Sequence, residues 1–119
     1  MPNNLLTEGV GFVGGLGVAD AGTVTGSSGA ATLNRLAGII TTESLTTAAG
    51  LTFTETLANA QVAATDIVLA SVTTSGNGTP VISKITPTAG QIVFVVQNIH
   101  ASAAFNAAIK IAFVVVKQS

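Results

Sequence analysis

Read for polarity alone, the chain from about residue 29 onward breaks into short runs that alternate apolar and polar side chains, with glycine, alanine, serine and proline between them. In Leu51-Thr52-Phe53-Thr54-Glu55-Thr56-Leu57 the threonines fall on one side of a two-residue period and Leu51, Phe53 and Leu57 on the other. That is the pattern of a half-buried antiparallel strand. Glu55 breaks it, a carboxylate on the apolar side. Runs of this kind predict seven strands, over 31–36, 39–43, 51–58, 66–74, 81–86, 91–99 and 108–117. The turns between them are carried by Ala37-Gly38, Ala48-Ala49-Gly50, Ser75-Gly76-Asn77-Gly78 and residues 87–90. A spacing of roughly 8 to 12 residues is that of a sandwich or barrel. The expected fold is all-β, an antiparallel β-sandwich or jelly-roll-like domain.

The last two strands are apolar on both faces: Ile92, Phe94 and Val96 alternate with Val93 and Val95, and Ile111, Phe113 and Val115 with Ala112, Val114 and Val116. A strand of that kind is covered on both sides, and in a two-layer domain the second cover comes most easily from another subunit or a neighbouring arm. Phe94, Phe113 and Val115 are therefore expected at a subunit interface. Residues 59–65 and 101–108 are alanine-rich but too short for stable helices, and are expected as loops or single turns. Residues 1–28 are glycine-rich, with scattered Leu5, Leu6, Val10, Phe12, Val13, Leu16 and Val18 in no helical or strand period. They predict an extended N-terminal arm, leaving 29–119 as the sandwich domain.

Charge changes the picture. Only 8% of the 119 residues are charged while 48% are hydrophobic, and the remaining polarity is threonine, serine, asparagine and glycine. A small free monomer ordinarily surrounds itself with lysine and glutamate, so this surface is expected to be covered in an assembly. Arg35, Lys84, Lys110 and Lys117 lie far apart in a chain of net charge −1, which speaks against nucleic acid and against a polybasic membrane patch. With no cysteine, a disulfide framework and thiolate metal sites are excluded. The first eight residues carry no basic side chain and glycines interrupt residues 9–17, unlike a secretory signal. The most apolar stretches, 92–96 and 111–116, fall far short of the roughly 20 residues of a membrane helix. A soluble protein made in the cytoplasm is expected.

Candidate chemistry is sparse. Residues 9–14 match G-x-G-x-x-G, but more glycines come after them and no βαβ unit surrounds them, so a flexible arm is the better reading. His100 is the single imidazole, with Ser102 nearby and Asp66 or Asp20 available to complete a triad. No nucleophile elbow accompanies them, and a loop histidine with local hydrogen bonds is expected instead. Glu8, Asp20, Glu43, Glu55 and Asp66 lack the dense spacing of a calcium loop. A glycosidase pair of Glu43 with Glu55 ranks below Glu55 as a rim residue or a partner of Lys84, Lys110 or Arg35. Asn77-Gly78-Thr79 is a glycosylation sequon that reads better as a turn, because Pro80 comes next and Asn-Gly suits positive φ. Without tryptophan or tyrosine a sugar-binding platform is weakened. No catalytic residue, cofactor or metal is expected.

The stretch 31–50, containing TLNRLAGIITTESLTTAAG, together with DIVLASV (66–72), GTPVISKITPTAG (78–90) and VQNIHASAAF (96–105), resembles a family of small tailed-bacteriophage virion proteins. Its signature pieces are ITTESLTTAAG, the TP-x-AG turn and QNIHASAA, and the likeness covers nearly all of the chain after the arm. The resemblance implies head decoration, or cement: a small β-rich subunit, commonly a homotrimer, that sits on the outer capsid surface of the virion and locks neighbouring major capsid proteins. Its partners would be the major capsid protein and itself. Leu5, Leu6, Phe12, Val13 and Leu16 are the expected arm contacts to capsid or sister subunit, each contributing roughly 1.5 to 3 kcal/mol on burial. Similar β-domains also occur in fibres and tail parts, so a fibre or tail knob binding a host surface receptor or glycan is the alternative. A glycan hydrolase using Glu43, Glu55 or His100 ranks last.

Overall fold

The structure, a computed structural model, describes residues 21–117. Leu5, Leu6, Phe12, Val13 and Leu16, the expected arm contacts, lie outside the described residues. Eight strands form: β1 (Ala21–Thr25), β2 (Ala30–Thr32), β3 (Ala37–Thr41), β4 (Thr52–Ala58), β5 (Ile67–Thr74), β6 (Pro80–Thr88), β7 (Gln91–Asn98) and β8 (Ile109–Val116). There is no helix among the described residues. The strands make two four-stranded sheets, ordered β1-β3-β8-β5 and β2-β4-β7-β6, which pack as a β-sandwich.

Through β6 the chain changes sheet at every connection. After two such crossings it arrives beside an earlier strand in the same direction, so β1 pairs with β3 and β2 with β4 in parallel. The all-antiparallel expectation is thereby corrected: both sheets are mixed. The remaining pairs are antiparallel, including the tight β6–β7 hairpin, where Gly90 takes φ 84, a left-handed value that favours glycine.

Sequence pattern places β4, β5, β7 and β8 to within about two residues, because their alternation is strong. It misses β1, which falls inside the predicted arm yet pairs with β3 over five residues. The two small strands before residue 42 also sit away from their predicted positions, and Ala37-Gly38 opens β3 instead of forming a turn. The glycine there serves packing: a Cβ on Gly38 would lie 2.5 Å from the Leu33 side chain and 2.7 Å from the Gly22 carbonyl oxygen. Gly22 and Gly38 stand opposite each other in the register, and their missing side chains let Leu33 tuck in.

The core lies between the sheets, built on Ile40, Leu57, Ile92, Phe94, Val96, Ile109, Ile111 and Phe113. The Phe94 and Phe113 rings meet from opposite sheets with centroids 6.1 Å apart at 48°. Phe94, Phe113 and Val115, expected at a subunit interface, are thus buried in the chain's own core. Both faces of β7 and β8 are apolar, and the faces carrying the phenylalanines turn inward to meet. The outward residues are Val93 and Val95 on β7 and Ala112, Val114 and Val116 on β8.

Candidate functional site

Strand register defines the outer face of the β1-β3-β8-β5 sheet. One cross-strand row holds Thr23, Ile39, Ala112 and Ser71, the next Ala21, Ala37, Val114 and Leu69, and beyond it Val116 stands opposite Ile67. Four of the six large exposed hydrophobics among the described residues lie here: Ile39 at 41%, Ile67 at 47%, Leu69 at 60% and Val116 at 42% exposure. Lys110, in the row with Thr25, Thr41 and Thr73, is the charged residue of this face. The outer face of the other sheet differs, carrying Thr52, Thr54, Thr56, Thr86, Gln91 and Lys84 around Val93 and Val95. An apolar sheet face rimmed by threonine suits contact with protein, since little charge has to be desolvated.

The edges of the sheets are unequal. β6 carries Pro80, Pro87, Lys84 and a bulge between Ile82 and Lys84, devices that discourage pairing with a further strand. β2 is three residues long. β5, on the apolar sheet, runs eight residues as IVLASVTT with no charge, proline or bulge, and pairs on one side alone. Among the described strands it is the longest edge without such a device, and it is open to an added strand.

Glu43 and Glu55 are brought together, although not as expected. Glu55 lies on the inward face of β4 opposite Phe94, fully buried, and neither of its carboxyl oxygens has a hydrogen-bond partner. Glu43 comes after β3; its Oε2 accepts the Gly29 N–H at 3.1 Å, while its Oε1 is buried and unpartnered. The rim position expected for Glu55 is corrected. Its suggested cationic partners stand elsewhere: Lys84 and Lys110 are exposed on outward positions of β6 and β8, and the Arg35 side chain packs beside Gly22. Burial first, and the neighbouring Glu43 charge second, push Glu55 up to about 7. A glycosidase needs its carboxyls open to a sugar, and Glu55 is enclosed here.

His100 does local work. Its Nδ1 accepts the N–H groups of Ser102 at 3.0 Å and Ala103 at 2.9 Å, closing the loop after β7. Asp66 is buried elsewhere, accepting the Ala63 N–H at 2.9 Å and pairing with Lys117 at 2.6 Å. The Asn77-Gly78-Thr79 sequon is a turn: Gly78 takes φ 87, and the Asn77 N–H donates to Asn106 Oδ1 at 2.6 Å. Asp20 and the glycine motif at 9–14 lie outside the described residues.

Nothing in the sequence singles out Asn98, yet it organises one end of the sandwich. Fully buried at the end of β7, its Oδ1 accepts the N–H groups of Thr79 and His100, each at 3.1 Å. Its Nδ2 donates to the carbonyls of Thr47 at 3.1 Å and Ala103 at 2.9 Å. Three loops meet there, and they contain parts of ITTESLTTAAG, GTPVISKITPTAG and QNIHASAA. Those pieces are joined by backbone bonds as well, Gly50 N–H to Asn98 O at 2.7 Å and Ile99 N–H to Thr79 O at 2.9 Å.

Fold and surface together define an all-β, two-sheet domain with one apolar, nearly uncharged outer face. No family model matches the chain, no curated protein matches it, and no solved structure matches it.

Proposed function

We propose that this chain is a non-enzymatic structural subunit of a tailed-bacteriophage virion, a head decoration or cement protein that works as a homo-oligomer, a trimer in the form the resemblance implies. The observation that carries the reading is the apolar outer face of the β1-β3-β8-β5 sheet, where Ile39, Ile67, Leu69 and Val116 are exposed with Lys110 as the face's charge. Sister subunits and the major capsid protein are the partners that would cover it. The resemblance through ITTESLTTAAG, the TP-x-AG turn and QNIHASAA supports the phage assignment. The finer architecture belongs to the same proposal: a jelly-roll-like variant whose β1 and β2 run parallel to their neighbours.

An electron-microscopy map of particles carrying the chain tests it. Many copies on the outside of the head, bridging major capsid proteins, are expected. A few copies on a fibre or tail would replace cement with the receptor-binding alternative.

A further inference from the structure

The 26–30 turn rests on both carboxyls, that of Glu55 fully buried and that of Glu43 partly so. The Gly26 N–H donates to the Thr41 carbonyl at 2.7 Å, and a Cβ on Gly26 would lie 2.9 Å from Glu55 Oε2 and 3.3 Å from Oε1. Gly26 is therefore a lid directly on the Glu55 carboxyl. Three residues on, the Gly29 N–H donates to Glu43 Oε2 at 3.1 Å, while Ser27 and Ala30 exchange backbone bonds of 2.9 and 3.0 Å that close the turn. Ser28 and Gly29 take φ 53 and 76, so the turn is held in a left-handed conformation.

Titratable groups around the pair are few. The turn above Glu55 contributes none, and neither does β7 opposite, where Phe94 faces it. The segment after β3 contributes Glu43, whose charge is the one found to act on Glu55. Among the described residues no cation reaches the Glu55 oxygens, and Lys117 is engaged by Asp66. Two ionised carboxylates in this enclosure would combine desolvation with like-charge repulsion.

We infer that Glu43 and Glu55 form a proton-dependent latch on the 26–30 turn, keeping it and the adjoining β1 edge closed while one carboxyl holds a proton and releasing them when both are ionised. Glu43, accepting the Gly29 N–H, is the group suited to carry the charge, and Glu55, with both oxygens enclosed, the one suited to hold the proton. On release that proton passes to water and the turn must lift to hydrate Glu55. The position of Glu55 near 7 puts the transition around neutral pH. The latch is independent of what the domain assembles with.

Hydrogen exchange of the full-length protein by NMR between pH 5 and 9, corrected for intrinsic exchange rates, tests the inference. Protection of the Gly26, Gly29 and Ala30 amides is expected to fall about tenfold or more from pH 6 to 8.5, with the Phe94 and Phe113 amides unchanged. In Glu55→Gln the turn amides should show no such fall. Unchanged protection in the wild type, a fall shared equally by the core, or a fall that persists in Glu55→Gln would each overturn the latch. If Glu55→Gln does not fold, the carboxyl carbon of Glu55 in the wild type decides: titration near pH 7 supports the latch, and titration near 4.5 refutes it.

Discussion

Glu55 and Asn98 are the two buried polar residues that matter most at the scale of single side chains, and they act in opposite ways. Asn98 has its acceptor and donor sides both engaged, so Asn98→Ala would leave partly buried backbone groups of three loops unpaired. A loss of about 3 kcal/mol or more is expected, read from urea unfolding. Glu55 has no such partners, and its carboxyl ionises in the fold near 7 instead of the ordinary 4.5. A raised acid favours the protonated folded state, so stability is full below about 4.5 and declines as pH rises through 7. At 1.36 kcal/mol per unit, that rise corresponds to about 3 kcal/mol between pH 4.5 and 8. Urea midpoints should fall over that interval for the wild type and flatten for Glu55→Gln; equal slopes would contradict the account. The inward position of Glu55 is legible in the period of 51–57. Its neighbour is not, because Glu43 stands outside any strand and reaches it through the fold.

Among the elements, legibility tracks the strength of alternation. β7 and β8, rich in branched and aromatic side chains, are readable almost to their ends. β1, written AGTVT, carries too little apolar bulk to register, and only its pairing with β3 shows why Gly22 and Gly38 belong together. Both faces of β7 and β8 read as apolar, but alternation has no means to say which turns inward; the phenylalanines do, and Phe94, Phe113 and Val115 are core. Removing residues 1–20 should leave the sandwich folded, whereas removing 1–28 also deletes β1 and should lower the melting temperature. Circular-dichroism melts of the two truncations check this, and equal melting temperatures would count against β1 as part of the sheet. The open β5 edge has its own consequence. Ser71→Lys, at an exposed position, should reduce concentration-dependent association without changing the melting temperature, as measured by light scattering.

For the whole molecule, the shortage of charge acquires a location. Among the described residues the few charged side chains are the enclosed Glu43–Glu55 pair, the Asp66–Lys117 ion pair and scattered surface positions, which leaves one sheet face with Lys110 and four exposed aliphatics. Desolvating such a face costs little, and a second copy docking there, as proposed, would meet no strong charge repulsion. Sedimentation or light scattering of the full-length protein at micromolar concentration measures this most directly, comparing wild type with Leu69→Lys, a change at a position 60% exposed that the fold should tolerate. The expected result is a defined oligomer for the wild type, a trimer being three times the 11.7 kDa chain mass, and a folded monomer for Leu69→Lys. A wild type that stays monomeric would contradict the account.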